Sequence, residues 1–381
     1  MSQRRVPAVF IRGGTSKGIF FHARDLPDDL ARRNDIFLAA IGSPDPYGRQ
    51  LDGLGGGISS LSKVVVIEPS ARPGIDVDYT FGQVVIDARV VDYGATCGNL
   101  SSVVGPFAVD EGLVTAPDGE AVVRVYNTNT DKVFESRFVV LNGTAKTRGG
   151  FVIPGVAGSA ARIQLDFLDP AGSRTGALLP SGQVNDLLKL ASGTEIEVCC
   201  LDATTPCVFA AASALGLTAT ELPTELEAMG ETLARLEEIR ALAGVRMGLG
   251  QTAAAISSTS RASPKVAVLA PPSDMPLLDG STLGREAMDL SVRMISMGQP
   301  HRAVPLTGGM CLAVAANLAG SLVHRLSRPG ASGDIRLGTP SGAIPIGAKV
   351  NSAGLDSTVE RITTYRTARR LMEGHVLVPQ D

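Results

Sequence analysis

Apolar and polar positions alternate with a period of two over much of this chain. Between residues 75 and 85, Ile, Val, Tyr and Phe recur at nearly every second position, the mark of a strand with one buried face. Segments 6–11, 63–67, 75–91, 121–127, 134–141 and 161–169 read as strands in the first half. Segments 195–202, 206–212, 265–271, 290–296, 343–350 and 359–366 do so in the second. Four stretches switch to helical spacing. Leu30–Ile41 carries apolar residues at 30, 37, 38 and 41 and stops at Gly42, a natural C-cap. Residues 98–111 place apolar side chains at 100, 103, 104, 107 and 108. Residues 225–247 carry charges of both signs and predict a surface helix. Residues 309–318, small and apolar, predict a buried one.

The two halves follow the same logic. Each runs through several strands into a Gly-containing turn with a cysteine and then an apolar helix. The turns are ATCGNLSSVVG at 95–105 and LTGGMCLAVAANLAG at 306–320. Two related lobes are therefore expected, 1–180 and 181–381, with the boundary around RTGALLPSGQVND.

Composition narrows the function classes. The 381 residues suffice for two domains, and 44% hydrophobic against 19% charged residues supports packed cores. A net charge of −3 without a basic stripe points away from nucleic acid and from anionic membrane surfaces. Aromatic residues are only 4%, with no Trp, which disfavours stacking on bases or sugars. The two arginines near the start meet only a short apolar run, and no stretch reaches the roughly 18 apolar residues of a membrane helix. A cytoplasmic protein is expected. Five cysteines, an odd number without C-x-x-C spacing, and four histidines give neither a disulfide framework nor a zinc pattern.

Four polar, Gly-rich segments carry the candidate chemistry. RGGTSKG (12–18) offers successive backbone amides, the hydroxyls of Thr15 and Ser16, and Lys17. It reads as an anion-binding nest or as a plain hairpin turn with a surface lysine. TCGNLSS (96–102) sets Cys97 directly before a predicted helix. Open amides at Gly98 and Asn99 and the helix dipole favour negative charge there, whether on sulfur or on a bound carboxylate. A buried, inert cysteine is the plainer alternative. Lys63 ends DGLGGGISSLSK and opens the apolar strand KVVVI. A lysine so placed is either a partly desolvated acid–base group or one that reaches back to water. PHRAVPLTGGMC (300–311) brings His301 and Arg302 to the start of the second helix, where Thr307, Gly308 and Gly309 suit a second carboxylate. Cys311, Cys199, Cys200 and Cys207 read as packing residues.

Taken together, RGGTSKG, GSPDPYGRQLDGLGGGISSLSKV, CGNLSSVVGPFAV and the PHRAVPLTGG region resemble the methylaconitate isomerase (PrpF-type) family, and the resemblance runs on to TARRLMEG at 367–374. That family includes 3-methylitaconate isomerase, 4-oxalomesaconate tautomerase and aconitate isomerase. The resemblance implies the diaminopimelate epimerase-like fold: an α+β architecture of two pseudo-symmetric, β-rich, barrel-like lobes, each around a central helix. It implies proton transfer without metal or organic cofactor, with Lys63 in SSLSKV and Cys97 in CGN as the acid–base pair. Epimerases of this fold use two cysteines on one carbon. Here TGGMC displaces Cys311 from the place of a second base, so the pair is expected to act on two different carbons.

The function so implied is an allylic proton shift or cis–trans isomerisation of a small unsaturated di- or tricarboxylate, 2-methylaconitate-like. The alternatives are oxalomesaconate tautomerisation or aconitate isomerisation, amino-acid epimerisation on the same fold, and a non-catalytic protein that binds a polycarboxylate. Long strands leave edges able to pair, so a homodimer is an open expectation.

Overall fold

The structure, a computed structural model, describes residues 3–94, 96–260, 263–296, 298–328 and 334–379. Ala95, which opens the first Gly-containing turn, lies outside them. The chain folds into two compact units, Met1–Leu168 with Tyr365–Asp381, and Asp169–Thr364. The sequence reading set everything after residue 180 in the second lobe. The last segment instead joins the first unit because strand Ala368–Pro379 pairs antiparallel with the first strand, from Gln3↔Pro379 to Gly13↔Ala368.

The first unit is organised by strict alternation. Strands β1 (Gln3–Gly13) and β2 (Ser16–His22) form a hairpin; β2 pairs parallel with β3 (Lys63–Pro69), which pairs antiparallel with β4 (Val77–Val84). Helix α1 (Leu30–Ile41) begins at Asp29, whose side chain accepts from the Arg32 amide, and ends at left-handed Gly42. Val6, Ala8, Ile19, Phe21, Val64 and Val66 pack with Phe37 and Ile41 of α1. The intervening residues Val9, Ile11, Phe20, Val65 and Ile67 pack with Leu100, Val103 and Phe107 of helix α2 (Gly98–Asp110). Two cores therefore lie on opposite faces of one sheet, as a period of two requires. Strands Gly119–Asn127, Lys132–Leu141 and Ile163–Leu168 extend the sheet and close over α2.

The second unit repeats this plan. Strand Lys265–Ala270 pairs antiparallel with Leu290–Ser296 and parallel with Pro206–Ala211. Val266, Val268 and Ile295 bury against Leu236, Ile239 and Ala243 of a long helix. The expected helix over 225–247 is in fact two, α3 (Pro223–Ala228) and α4 (Gly230–Arg246), because Met229 leaves helical geometry at φ −94°, ψ 65°. A short helix, α5 (Ala253–Thr259), follows. The buried central helix, α6, spans Leu306–Asn317, so it starts three residues earlier than its apolar pattern suggested and takes Thr307 and Gly308 into its first turn. Gly308 fits there because a Cβ would lie 2.4 Å from the Met294 sulfur. Among the described residues no helix is long and apolar enough to cross a membrane.

Candidate functional site

Cys97 is the N-cap of α2, in an extended conformation at φ −116°, ψ 97°. Its side chain caps no amide, and the first turn carries no acidic residue, so the positive end of the helix is uncompensated. The Cys97 carbonyl is held by three donors: the Ser101 amide at 2.9 Å, the Ser101 hydroxyl at 3.0 Å and the Tyr79 hydroxyl at 3.5 Å. Tyr79 is fully buried, and burial foremost, with the charge of Cys97 second, pushes its phenol upward. It remains a neutral donor that pins the turn.

Lys63 reaches the same face of the sheet. It is an odd-numbered residue of β3, like Val65 and Ile67, so its side chain projects toward α2. Only 8% of Lys63 and 8% of Cys97 is exposed. The Lys63 ammonium donates to Gln83 Oε1 at 2.6 Å and stands 4.9 Å from the Phe81 ring, and Phe81 and Cys97 belong to one core. Gln83, the cross-strand partner of Lys63, donates its own amide nitrogen to the Ser62 carbonyl at 2.8 Å and the Ser59 carbonyl at 3.1 Å. Those two bonds fix which way the amide points and leave its oxygen to the lysine. Gly18 lets β2 close on both partners: a Cβ there would sit 2.9 Å from the Lys63 carbonyl oxygen and 2.9 Å from Leu100 Cδ1.

The RGGTSKG segment is a tight hairpin, with Gly13 paired to Ser16 across Gly14 and Thr15. The Gly14 amide is taken by the Thr367 carbonyl at 2.9 Å, so the segment is not an open nest. Thr15 and Ser16 do meet α2: Asn99 Nδ2 donates to Thr15 Oγ1 at 3.0 Å and to Ser16 Oγ at 3.4 Å. Lys17 does not join them. The alternation of β2 sends it to the face opposite Ser16, where its ammonium lies 5.7 Å from the Phe10 ring. A reading of 12–18 as a loop could not separate the two.

Sequence reasoning missed Arg366. Its Nε donates to Asn99 Oδ1 at 3.0 Å and its Nη1 to the Tyr365 carbonyl at 2.7 Å. Desolvation draws its pKa down to about 10, with Cys97 opposing that shift. The Asn99 side chain is thus a brace between Arg366 and the hairpin, while its backbone amide stays at the open helix end.

In the second unit His301, Thr307, Gly308 and Gly309 gather at the start of α6, joined by Lys265, which the sequence reading passed over. Gly308 has Lys265 Cδ 3.5 Å from its ideal Cβ position. Burial lowers the pKa of Lys265, whose ammonium donates to Ser296 Oγ at 3.2 Å. His301 accepts the Ala303 amide on Nδ1 at 3.0 Å, and burial first, then the Lys265 charge, lowers its pKa. His301 is therefore a neutral ring. Arg302 is exposed. Cys311 is fully buried inside α6 and donates to the Leu201 carbonyl at 3.4 Å, as a packing residue does.

Among the described residues, no three of His, Cys, Asp and Glu gather as a metal site requires. Two surface clefts of about 420 and 430 Å³ lie elsewhere, one beside Glu237 and Arg240, the other beside Asp45 and Arg49. Neither is lined by Lys63 or Cys97.

Known proteins align with the whole chain. It is 41% identical to the 3-methylitaconate isomerase of Eubacterium barkeri, over 99% of this chain and 98% of that one. It is 38% identical to the 2-methyl-aconitate isomerase of Cupriavidus necator, over 100% and 98%. The crystal structure of a methylitaconate-delta-isomerase superposes with a TM-score of 0.93 at 40% identity, covering 100% of this chain and 97% of the other. A hydroxyproline epimerase from Agrobacterium vitis superposes at 0.51 with 13% identity, over 99% and 94%, a likeness of fold alone. The diaminopimelate epimerase-like fold expected from the sequence is the fold of this chain. With residues 3–379 matching the sequence model described as PrpF protein, the chain belongs to the PrpF family.

Proposed function

We propose that this chain is an isomerase that shifts a proton along the allylic system of a small unsaturated di- or tricarboxylate, with 2-methylaconitate as the first substrate to test. One observation carries the reading. A largely buried ammonium, Lys63, and the thiol of the N-cap residue, Cys97, belong to the same face of one unit, beside amides that no acidic residue in the first turn neutralises. The identity to isomerases of methylitaconate and 2-methyl-aconitate over nearly the full chain supports it.

The chemistry balances without any outside reagent. One member of the pair takes a proton from the carbon next to the double bond. The C–H electron pair delocalises through the alkene into a carboxylate, giving a dienolate. The open amides of Gly98 and Asn99 are the donors assigned to that negative charge, and aligned donors of this kind stabilise a charged transition state strongly. The other member delivers a proton to the far alkene carbon, and the double bond moves one position. Return of the proton to the first carbon after rotation gives cis–trans isomerisation. The turn of His301, Thr307, Gly308 and Gly309 is a separate candidate for carboxylate binding in the second unit, and Lys17 is the weakest member of the proposed set because of its face.

Epimerisation at a single carbon fits less well, since Cys311 lies inside α6 with its thiol given to Leu201. The test is a panel of 2-methylaconitate, aconitate, methylitaconate and oxalomesaconate in deuterated water. Turnover with deuterium incorporation on one of them, lost in Lys63→Ala, is expected. Binding without exchange on every member would make the protein a carrier and end the reading.

A further inference from the structure

We propose that Arg366 binds one carboxylate of the substrate at the open end of α2; the identity of that substrate rests on the reading above. The argument begins with an imbalance. Arg366 is half-buried with its guanidinium drawn out of water, and among the described residues no carboxylate pairs with it. Two arginines nearby in sequence behave differently: Arg370 pairs with Glu111 at 2.6 Å and with Glu373 at 2.7 Å, and Arg361 with Glu360 at 2.8 Å. A guanidinium withdrawn from water without an anion is costly, and such charges are normally paired.

Its position is nonetheless built with care. Nε is committed to Asn99 Oδ1 and Nη1 to the Tyr365 carbonyl, both neutral oxygens that orient the group without cancelling its charge. The Asn99 amide is locked in turn by Thr15 and Ser16. The stem runs over the hairpin turn, where a Cβ on Gly14 would lie 3.1 Å from Arg366 Cδ and 2.3 Å from Asn99 Oδ1. Among the described residues Nη2 has no hydrogen-bond partner, and the guanidinium lies close enough to the helix start for the charge of Cys97 to act on it. A planar fork next to backbone N–H groups is the arrangement that takes a carboxylate. The neighbourhood of Cys97 would then receive a substrate already oriented by its charge.

The experiment uses the full-length chain and a saturated tricarboxylate, tricarballylate, with its dicarboxylate truncations glutarate and methylsuccinate. Binding of each is measured by calorimetry to wild type, Arg366→Gln and Arg366→Lys, with a thermal melt as a check of folding. Arg366→Gln is expected to weaken tricarballylate by about tenfold to a hundredfold, the range for losing a charge-assisted bond. It should also shrink the preference for tricarballylate over at least one truncated ligand, which a purely structural role would leave intact. Arg366→Lys should recover part of the affinity, and it carries the test should the Gln variant fail to fold. Folded variants with affinity within about twofold of wild type would overturn the assignment. Because the readout is binding, a failure of the isomerase reading in the exchange assay leaves this result separately interpretable.

Discussion

The starts of the two central helices make an instructive pair. Each unit opens a strand with a lysine on the face of its central helix, Lys63 in KVVVI and Lys265 in KVAVL, and each covers the other face with an amphipathic helix, α1 or α4. The frame alone therefore delivers an ammonium to a helix start. What differs is the cap. The first unit caps α2 with Cys97, and the second caps α6 with Pro305. The cap of α2 thus adds a proton-bearing group at the helix start and proline at the cap of α6 adds none, while the thiol across the strand from Lys265 belongs to Cys207, which is fully buried. The second unit has its cysteine too, but five residues into α6, where it packs. On the reading proposed above, the same scaffold serves proton transfer in one unit and binding in the other.

Substitutions at matched positions would break or sharpen this contrast. The largest effect is expected at the lysines. Lys63→Met should lower kcat/KM by about 10² to 10⁴, the usual weight of one acid–base group, while Lys265→Met should stay within about tenfold. Steady-state kinetics with equal losses in both would erase the distinction. Next come the cysteines. Cys97→Ser should reduce turnover about a hundredfold or more with the fold intact. Cys311→Ser should keep its activity and lose about 1–2 kcal/mol of stability in denaturant melts, from hydroxyl burial.

A smaller change is expected at Gln83, which orients Lys63 from the neighbouring strand. Gln83→Leu should lower kcat by about tenfold, with the pH–rate profile moving as the lysine loses its only amide partner among the described residues. Unchanged profiles would make Gln83 a packing residue. The smallest concerns His301. Its folded pKa is depressed, so below the unfolded value of about 6.5 the unfolded chain binds the proton that the folded chain refuses. Its contribution to stability is therefore full above that value and falls as pH drops through it. Melting temperatures from pH 5 to 7.5 should fall less steeply in His301→Gln than in wild type.

The sequence was most legible where one period held over a whole element. Leu30–Ile41 and the start of α2 at Gly98 were readable to the residue, since an apolar stripe and a Gly or Cys boundary agreed. The strand opening at Lys63 was equally plain. Legibility failed where a side chain's meaning depends on distant partners. Arg366 reads as one arginine among several until its bond to Asn99 at the start of α2 singles it out. Lys265 sat in a strand already recognised, yet only Gly308 and His301 beside it give it a role. Strand Ala368–Pro379 went unread because its first half is charged and exposed, and its strand character comes from pairing with β1 rather than from its own pattern.

That last pairing bears on how the molecule is made. Arg12 and Thr367, hydrogen-bonded in the finished protein, are 355 positions apart. Strand Gln3–Gly13 must wait for more than 350 further residues before its long neighbour exists, whereas 169–364 is one uninterrupted stretch. Domains usually mature in the order of synthesis. Here the later-made unit can close first, and the sheet that carries the lysine and the thiol is stitched shut only once strand Ala368–Pro379 has been made.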